Sequence, residues 1–313
     1  MSKVDAESRA LGMVVGAAVG DALGAPFEFY SPGLYRKTFP QPVHTEPYEM
    51  IGGGSFDWEP GEFTDDTQMA LALAESILDH GDFDADTTWR WFRAWSQTAA
   101  DIGITTSWSL NHEDWRDVTP HSRSSASNGA LMRSFVLAAA CHGRADDDVL
   151  RIVLAQSALT HPHPASGWGA WIAVETCRAF ITGRDGLESI DAFVARIPDS
   201  APFEQMLHPE WKPVPTAVSN GSVWGCLAQA VWAVRSTSSF EEAVVAAVNL
   251  GDDADTVGCV TGALAGARYG LEDVPERWRR VVHGRLDGPS GRLEYSVADL
   301  ERVTQALLDI ARR

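Results

Sequence analysis

The sequence has no CxxC pair and only four cysteines, Cys141, Cys177, Cys226 and Cys259, spread across 313 residues. That spacing offers neither a zinc knuckle nor a disulfide framework. The small apolar residues around each read as reduced core thiols. Alternating apolar–polar runs are scarce, which argues against a sheet-based fold. No segment repeats at a fixed period, which argues against a solenoid. Basic residues are in deficit: 25 Lys and Arg stand against 43 Asp and Glu, a net charge of −18. So acidic a chain argues against a nucleic-acid backbone or an anionic membrane as partner. The apolar stretch at residues 11–18 lacks a basic leader and is too short to span a bilayer. The expected location is therefore cytoplasmic, with no membrane partner.

What the chain does have is helical periodicity. Apolar spacing or Ala-rich composition predicts helices over residues 5–22, 66–80, 84–98, 129–142, 146–158, 164–182, 187–196, 221–235, 240–249, 254–269, 275–283 and 297–312. Irregular pieces at 24–63, 101–128, 199–220 and 284–296 are rich in Gly, Pro, Ser and Asn. None has the composition of an interdomain linker. The expectation is one all-α domain over residues 1–313, a compact orthogonal multi-helix unit with loops long enough to build a site. Most of the tryptophans, such as Trp89, Trp91, Trp95, Trp171, Trp224 and Trp232, fall in helical patterns and are expected in the core.

Two helices carry glycine at every fourth position: Gly12, Gly16, Gly20 and Gly24 in one, Gly258, Gly262, Gly266 and Gly270 in the other. Each glycine costs a helix about 1 kcal/mol relative to alanine, so the stripes imply a packing need. They read either as two unrelated core helices or as a pair packed on each other. An antiparallel pair would bring Asp21 near Asp253 and Asp255.

Acidic clusters stand at two helix starts. "TDDT" places Thr64, Asp65, Asp66 and Thr67 before an apolar helix, and "DDADT" places Asp252, Asp253, Asp255 and Thr256 before another. Taken singly, each reads as a cap with acids favouring the helix dipole. Taken together, and with no Lys or Arg nearby, they would repel each other unless cations lay between them. Carboxylates and hydroxyls without cysteine suit hard ions, Mg²⁺ or Mn²⁺, rather than zinc. This many acids would support two ions, able to polarise a water and hold substrate hydroxyls.

The remaining candidates are ambiguous locally. Glu28, between Phe27 and Phe29, is either an exposed loop acid or a desolvated proton-handling group. Asp101 reads as a cap. Ser127, Asn128 and Gly129 open a predicted helix, as an ordinary cap or as a cradle for pyrophosphate. His161 and His163 stand two apart, but Pro162 and Pro164 hold an extended turn that disfavours a metal pair. Trp115 and Trp211, in loops, could border a cleft and stack on adenine.

In order along the chain, "GAAVGDALGAPFEF", "FTDDTQMAL", "DIGITT", "SNGALMR", "LTHPHP" and "NLGDDADTVGCVTGALAGARYG" resemble the successive signatures of the ADP-ribosylglycohydrolases. That family includes the dinitrogenase reductase-activating glycohydrolase and the ADP-ribosylarginine hydrolases. The resemblance runs from about residue 12 to residue 270. It implies an all-α fold with a dinuclear Mg²⁺ or Mn²⁺ site in a central cleft, held by Thr64, Asp65, Asp66, Asp253, Asp255 and Thr256. Relatives often have Gly where this chain has Asp252, which leaves open which neighbouring acid faces the ions. The spacing of Asp253-Ala254-Asp255-Thr256 favours Asp253. By the same resemblance Glu28 would contact the ribose and attacking water, and Asp101 would lie by the scissile bond and the leaving guanidinium. Asp65 or Asp66 would accept a proton. Ser127, Asn128 and Gly129 would hold the diphosphate, and His161 would touch a phosphate. Arg133 reads as structural, and His163 has no assigned role. The implied function is metal-dependent release of ADP-ribose from a modified protein or other conjugate, most directly from arginine. The alternatives are O-linked conjugates (serine or O-acetyl-ADP-ribose), a two-metal nucleotide phosphoesterase, and a non-catalytic ADP-ribose-binding protein. The oligomeric state cannot be read from the sequence.

Overall fold

The computed structural model describes residues 4–120, 126–214 and 219–312. Its longer helices start where the sequence supplies caps. Asp5 accepts from Ser8 N at 2.7 Å and opens α1 (Ala6–Gly24). The short α2 (Leu34–Thr38) follows, then α3 (Asp65–His80) behind Thr64, α4 (Ala85–Ser96) behind Asp84, and α5 (Ile104–Leu110). Next come α6 (Val136–Ala140), α7 (Asp146–Ala158) with three aspartates in its first turn, and α8 (Pro164–Ile181). Two short helices, α9 (Ile190–Val194) and α10 (Ala201–Leu207), lead to α11 (Val223–Arg235) and α12 (Phe240–Val248), each capped by a serine. The chain ends with α13 (Ala254–Tyr269), α14 (Glu276–Arg279), the antiparallel strands β1 (His283–Gly288) and β2 (Gly291–Ser296), and α15 (Val297–Ala311) behind a Ser296–Asp299 capping box.

The glycine stripes meet. A Cβ at Gly12 would lie 2.7 Å from Gly266 O, at Gly16 2.5 Å from Gly262 O, and at Gly20 2.0 Å from Gly258 O. The pairing runs antiparallel, so each helix backbone fills the groove left by the other. Both helices are buried almost all round, which explains their weak amphipathic pattern. By length and composition Ala6–Phe27 could cross a membrane, a longer apolar segment than the sequence run at 11–18. Yet 94% of its apolar window is buried inside the protein.

The all-α expectation holds, and local differences have physical causes. The predicted helix at 129–142 is helical only over Val136–Ala140. Before it, Leu131 N and Met132 N both bond Asn128 O in a run of turns. Predicted helices at 187–196 and 275–283 shrink to α9 and α14. The pieces read as irregular contain α2, α5 and α10, too short to show a period. The hairpin in 284–296 was missed because its strands are mostly polar. Gly284 and Gly288 let its backbone lie on Phe63 and Trp91, where a Cβ would come within 2.4 Å and 2.3 Å of those rings. All four cysteines are buried and free. Trp89, Trp91, Trp95 and Trp171 are buried, while Trp224 and Trp232 are partly buried.

Candidate active site

The first turn of α3 is fixed from another helix. Asp21, buried on α1, accepts from Thr64 N at 3.0 Å, Thr67 N at 3.0 Å and Thr67 Oγ1 at 2.5 Å. With those donors satisfied by Asp21, Asp65 and Asp66 are left to face other groups. Asp66 Oδ2 accepts from Thr64 Oγ1 at 3.3 Å and from Thr256 Oγ1, on α13, at 3.2 Å. Segments nearly two hundred residues apart are thereby joined. Because α1 and α13 run antiparallel, the end of α1 meets the start of α13 at this point.

Around that junction the acids converge. One carboxylate oxygen from each of Glu28, Asp101 and Asp255 lies within 4.8 Å of the others. Asp255 Oδ1 accepts from Thr256 N at 2.9 Å. Asp253 Oδ2 accepts from Asn128 Nδ2 at 2.7 Å, and its N–H donates to Asn220 Oδ1 at 3.2 Å. Asp252 has φ 58°, the left-handed region that glycine favours, and its side chain is exposed. Its backbone is locked to Tyr30 O and Phe29 N, and both Asp252 and the less exposed Asp253 border the cavity above the cluster.

Above the cluster lies a cavity of about 540 Å³ lined by Glu28, Asp65, Asp101, Asp253, Asp255 and Thr256 on one side and Ser127, Asn128, Gly129 and His161 on another. Thr64 and Asp66 sit beneath its floor. No lysine or arginine among the described residues lines it. Burial, then the neighbouring acids Asp101 and Asp253, pushes Glu28 up to about 9. Burial, then Asp253 and Asp21, pushes Asp101 up to about 6. Asp21 is raised to about 6 by burial, against the pull of its hydrogen bonds to Thr67 and Thr64. Asp65, Asp66 and Asp255 are also held well above the usual carboxylate range, by burial first and like charges second.

These residues fit a divalent cation. Glu28 Oε2 and Asp66 Oδ1 are buried without any hydrogen-bond partner, an expensive state for a carboxylate oxygen. The donors around them are carboxylates and threonine hydroxyls, the set that hard ions prefer. A stability prediction follows for the metal-free protein. The acids titrate near 4 when unfolded, and their folded values lie above that. Their contribution is therefore fully present below about pH 4. It is lost as pH rises through about 6 for Asp21 and Asp101 and about 9 for Glu28. Chelator-treated protein should melt lower at pH 8.5 than at pH 5.5, and Mg²⁺ or Mn²⁺ should raise the pH 8.5 value more. Scanning calorimetry at both pH values checks this. A flat metal-free profile would contradict the reading.

The second wall differs from expectation. Ser127, Asn128 and Gly129 do not open a helix, since only turns follow, and part of the "SSASNGALMR" segment, Ser124 and Ser125, lies outside the described residues. Asn128 N donates to Gly221 O at 3.2 Å, and its side chain is spent on Asp253 and Asn220 O. Asn128 therefore orients an acid while also lining the cavity. Ser127 Oγ lies 3.0 Å from Thr105 Oγ1. Gly129 is compelled by His161: a Cβ there would stand 2.7 Å from the ring Cε1. His161 is buried, its Nδ1 2.8 Å from Thr160 Oγ1. Burial first, and Arg133 second, lower its pKa well below the usual range, so it faces the cavity neutral. His163 proves to be the N-cap of α8, its Nδ1 accepting from Ala165 N at 3.2 Å. Arg133 is structural, though in the turns rather than a helix. Its guanidinium bonds Gln156 and sits 4.4 Å above the Phe92 ring.

Neither loop tryptophan borders the cleft. Trp115 Nε1 donates to Asp86 Oδ1 at 2.8 Å on the far side of α4. Trp211 lines a separate cavity of about 170 Å³ with Trp232 and Arg235. Sequence reasoning gave no site role to Asp21, Thr67 and Asn220. For Asp21 the signal was its place at the end of a glycine stripe.

The family model described as ADP-ribosylglycohydrolase matches residues 2–312. The ADP-ribosyl-[dinitrogen reductase] glycohydrolase of Rhodospirillum rubrum is 32% identical over 99% of this chain and 99% of its own. The ADP-ribosylarginine hydrolase Tri1 of Serratia proteamaculans (strain 568) is 32% identical over 92% of this chain and 79% of its own. A solved structure, an ADP-ribosylglycohydrolase-related protein complex, superposes with a TM-score of 0.79 at 30% identity, covering 98% of this chain and 99% of that one. Sequence and fold agree along almost the whole length, and the chain belongs to the ADP-ribosylglycohydrolase family as one of its enzymes.

Proposed function

We propose that the chain hydrolyses the N-glycosidic bond between ADP-ribose and an arginine side chain, using two divalent cations, Mg²⁺ or Mn²⁺. Thr64, Asp65, Asp66, Asp253, Asp255 and Thr256 would hold the ions. Such ions, when bound, neutralise the acids and polarise oxygens that reach them. The observation that carries the arginine reading is Asp101. Its carboxylate meets those of Glu28 and Asp255 within 4.8 Å, in a cavity that no lysine or arginine among the described residues lines. A substrate that brings its own positive charge there suits such a site.

The chain's own groups divide the work. Asp65 lines the cavity and takes a proton from the attacking water. Glu28 aligns that water with the ribose. The C1″–N bond breaks with its electron pair going to nitrogen, and the water oxygen bonds C1″. Positive charge develops on the ribose during this exchange, and the surrounding carboxylates stabilise it. Because the guanidinium starts protonated, it departs as neutral guanidine and needs no acid at the outset. It then takes up the proton that Asp65 removed from water, which restores the carboxylate and closes the balance at ADP-ribose and arginine.

The test is a parallel assay on ADP-ribosyl-arginine, ADP-ribosyl-serine and O-acetyl-ADP-ribose, with ADP-ribose and inorganic phosphate both measured. The arginine conjugate should be preferred and ADP-ribose the product. Asp101→Ala should lower kcat/KM for that conjugate by about 50-fold, more than for the neutral ones. Rapid serine or ester cleavage with an inert arginine conjugate would remove the arginine reading.

A further inference from the structure

Among the described residues most large apolar side chains are buried, yet two exposed ones, Ile104 and Phe29, border the acidic cleft. Ile104 is 82% exposed and Trp108 45%, one turn apart on α5, which starts three residues after Asp101. Phe29, next to Glu28, is 64% exposed, and its ring centroid lies 6.4 Å from that of Phe56. Phe29 also holds φ at 65°, which a bulky aromatic seldom adopts, with its N–H fixed to Asp252 O at 2.6 Å. Neither Ile104 nor Phe29 belongs to the apolar core. Apolar surface gathered beside a cleft marks a binding surface.

We infer that these side chains form a docking surface for the polypeptide around the modified arginine, favouring acceptors with apolar residues flanking that arginine. The inference rests on the arginine reading above. Place fixes the occupant first: the acceptor leaves past Asp101 and Glu28, and the exposed Phe29 follows Glu28 directly while the exposed Ile104 stands three residues after Asp101. Charge fixes it second. The cleft is lined by acids and the chain carries −18, so an arginine-bearing segment is attracted and an acidic one repelled. A second copy of this chain, equally negative, fits less well.

The experiment compares free ADP-ribosyl-arginine with two synthetic peptides, each ADP-ribosylated on one arginine, flanked by leucines in one and by glycines in the other. Wild type should cleave the leucine-flanked peptide with kcat/KM about tenfold above the glycine-flanked one. Ile104→Ser, and more so Ile104→Ser with Trp108→Ser, should erase that preference. Cleavage of free ADP-ribosyl-arginine and inhibition by ADP-ribose should stay within about twofold of wild type. Ile104 contributes little to the core, so its single variant carries the test even where the double variant unfolds. An equal loss on all three substrates, or an unchanged leucine preference, would overturn the inference. So would weakened inhibition by ADP-ribose, which would assign these residues to the nucleotide. A wild type that leaves ADP-ribosyl-arginine intact would overturn both this inference and the arginine reading.

Discussion

Asp255→Asn is expected to lower release of ADP-ribose from any conjugate by about a thousandfold or more, while the metal-free fold stays as stable as wild type or gains stability. Asp255 is buried at the start of α13, and it brings that helix's acids to Glu28 and Asp101. Asparagine has almost the same shape and keeps an oxygen to accept from Thr256 N, as Asp255 does at 2.9 Å. Only the charge is lost. In the metal-free protein that charge is a liability, because burial and four other acids all oppose it. In the cation-loaded protein proposed above it would be a ligand. The substitution therefore separates two roles that wild type combines. Isothermal titration with Mn²⁺ should show at least one site lost, and the double variant Asp253→Asn/Asp255→Asn should show no binding. Asn128 Nδ2 would still find an oxygen on the residue at 253. If the double variant unfolds without metal, these acids are structural caps and the metal reading is wrong.

The sequence displayed this site better than it displayed the loops around it. Thr64-Asp65-Asp66 and Asp253-x-Asp255-Thr256 were legible because each sets acids and a threonine at the start of a long apolar helix. The glycine stripes, read as a packed antiparallel pair, pointed to Asp21 beside Asp253 and Asp255, while the meeting of the α3 and α13 clusters rested on the family resemblance. Glu28 and Asp101 needed the family resemblance. Nothing local distinguishes a desolvated loop acid from a solvated one until the chain has closed over it. Asn128 looks locally like a helix start, but turns follow it, and Gly221, Asn220 and Asp253 hold its N–H and side-chain amide from distant segments. Asp21 was overlooked as a site residue because its partners, Thr64 and Thr67, lie over forty positions away. The hairpin at 283–296 escaped notice for another reason. Its glycines fit Phe63 and Trp91, and a pattern of side chains cannot record where a backbone must come close.

Gly262→Ala should cost about 3 kcal/mol or more, although alanine is the better helix former by about 1 kcal/mol. The new Cβ would lie 2.0 Å from Gly16 O and 2.6 Å from Gly16 C, both backbone atoms with no rotamer to yield. Relief requires α1 and α13 to move apart along their whole contact. A drop in melting temperature of about 5 °C or more is expected, and Gly258→Ala with Gly262→Ala should yield no folded protein. Gly143→Ala is the control. That glycine is exposed, its added Cβ would meet only Ala311 O at 3.4 Å, and its melting temperature should match wild type. The stripe also reaches the chemistry. A Cβ at Gly24 would stand 2.4 Å from Ala254 O and 2.5 Å from Asp255 Cα, so Gly24→Ala pushes directly on a cluster acid. Gly266→Ala acts at the other end of the same contact, against Gly12 O. Where both variants remain folded at low temperature, Gly24→Ala should weaken Mn²⁺ binding by about tenfold or more and Gly266→Ala should leave it nearly intact. If Gly262→Ala melts with wild type, the helices have room the geometry denies them. If Gly24→Ala and Gly266→Ala weaken Mn²⁺ equally, the stripe acts on stability alone and does not set the position of Asp255.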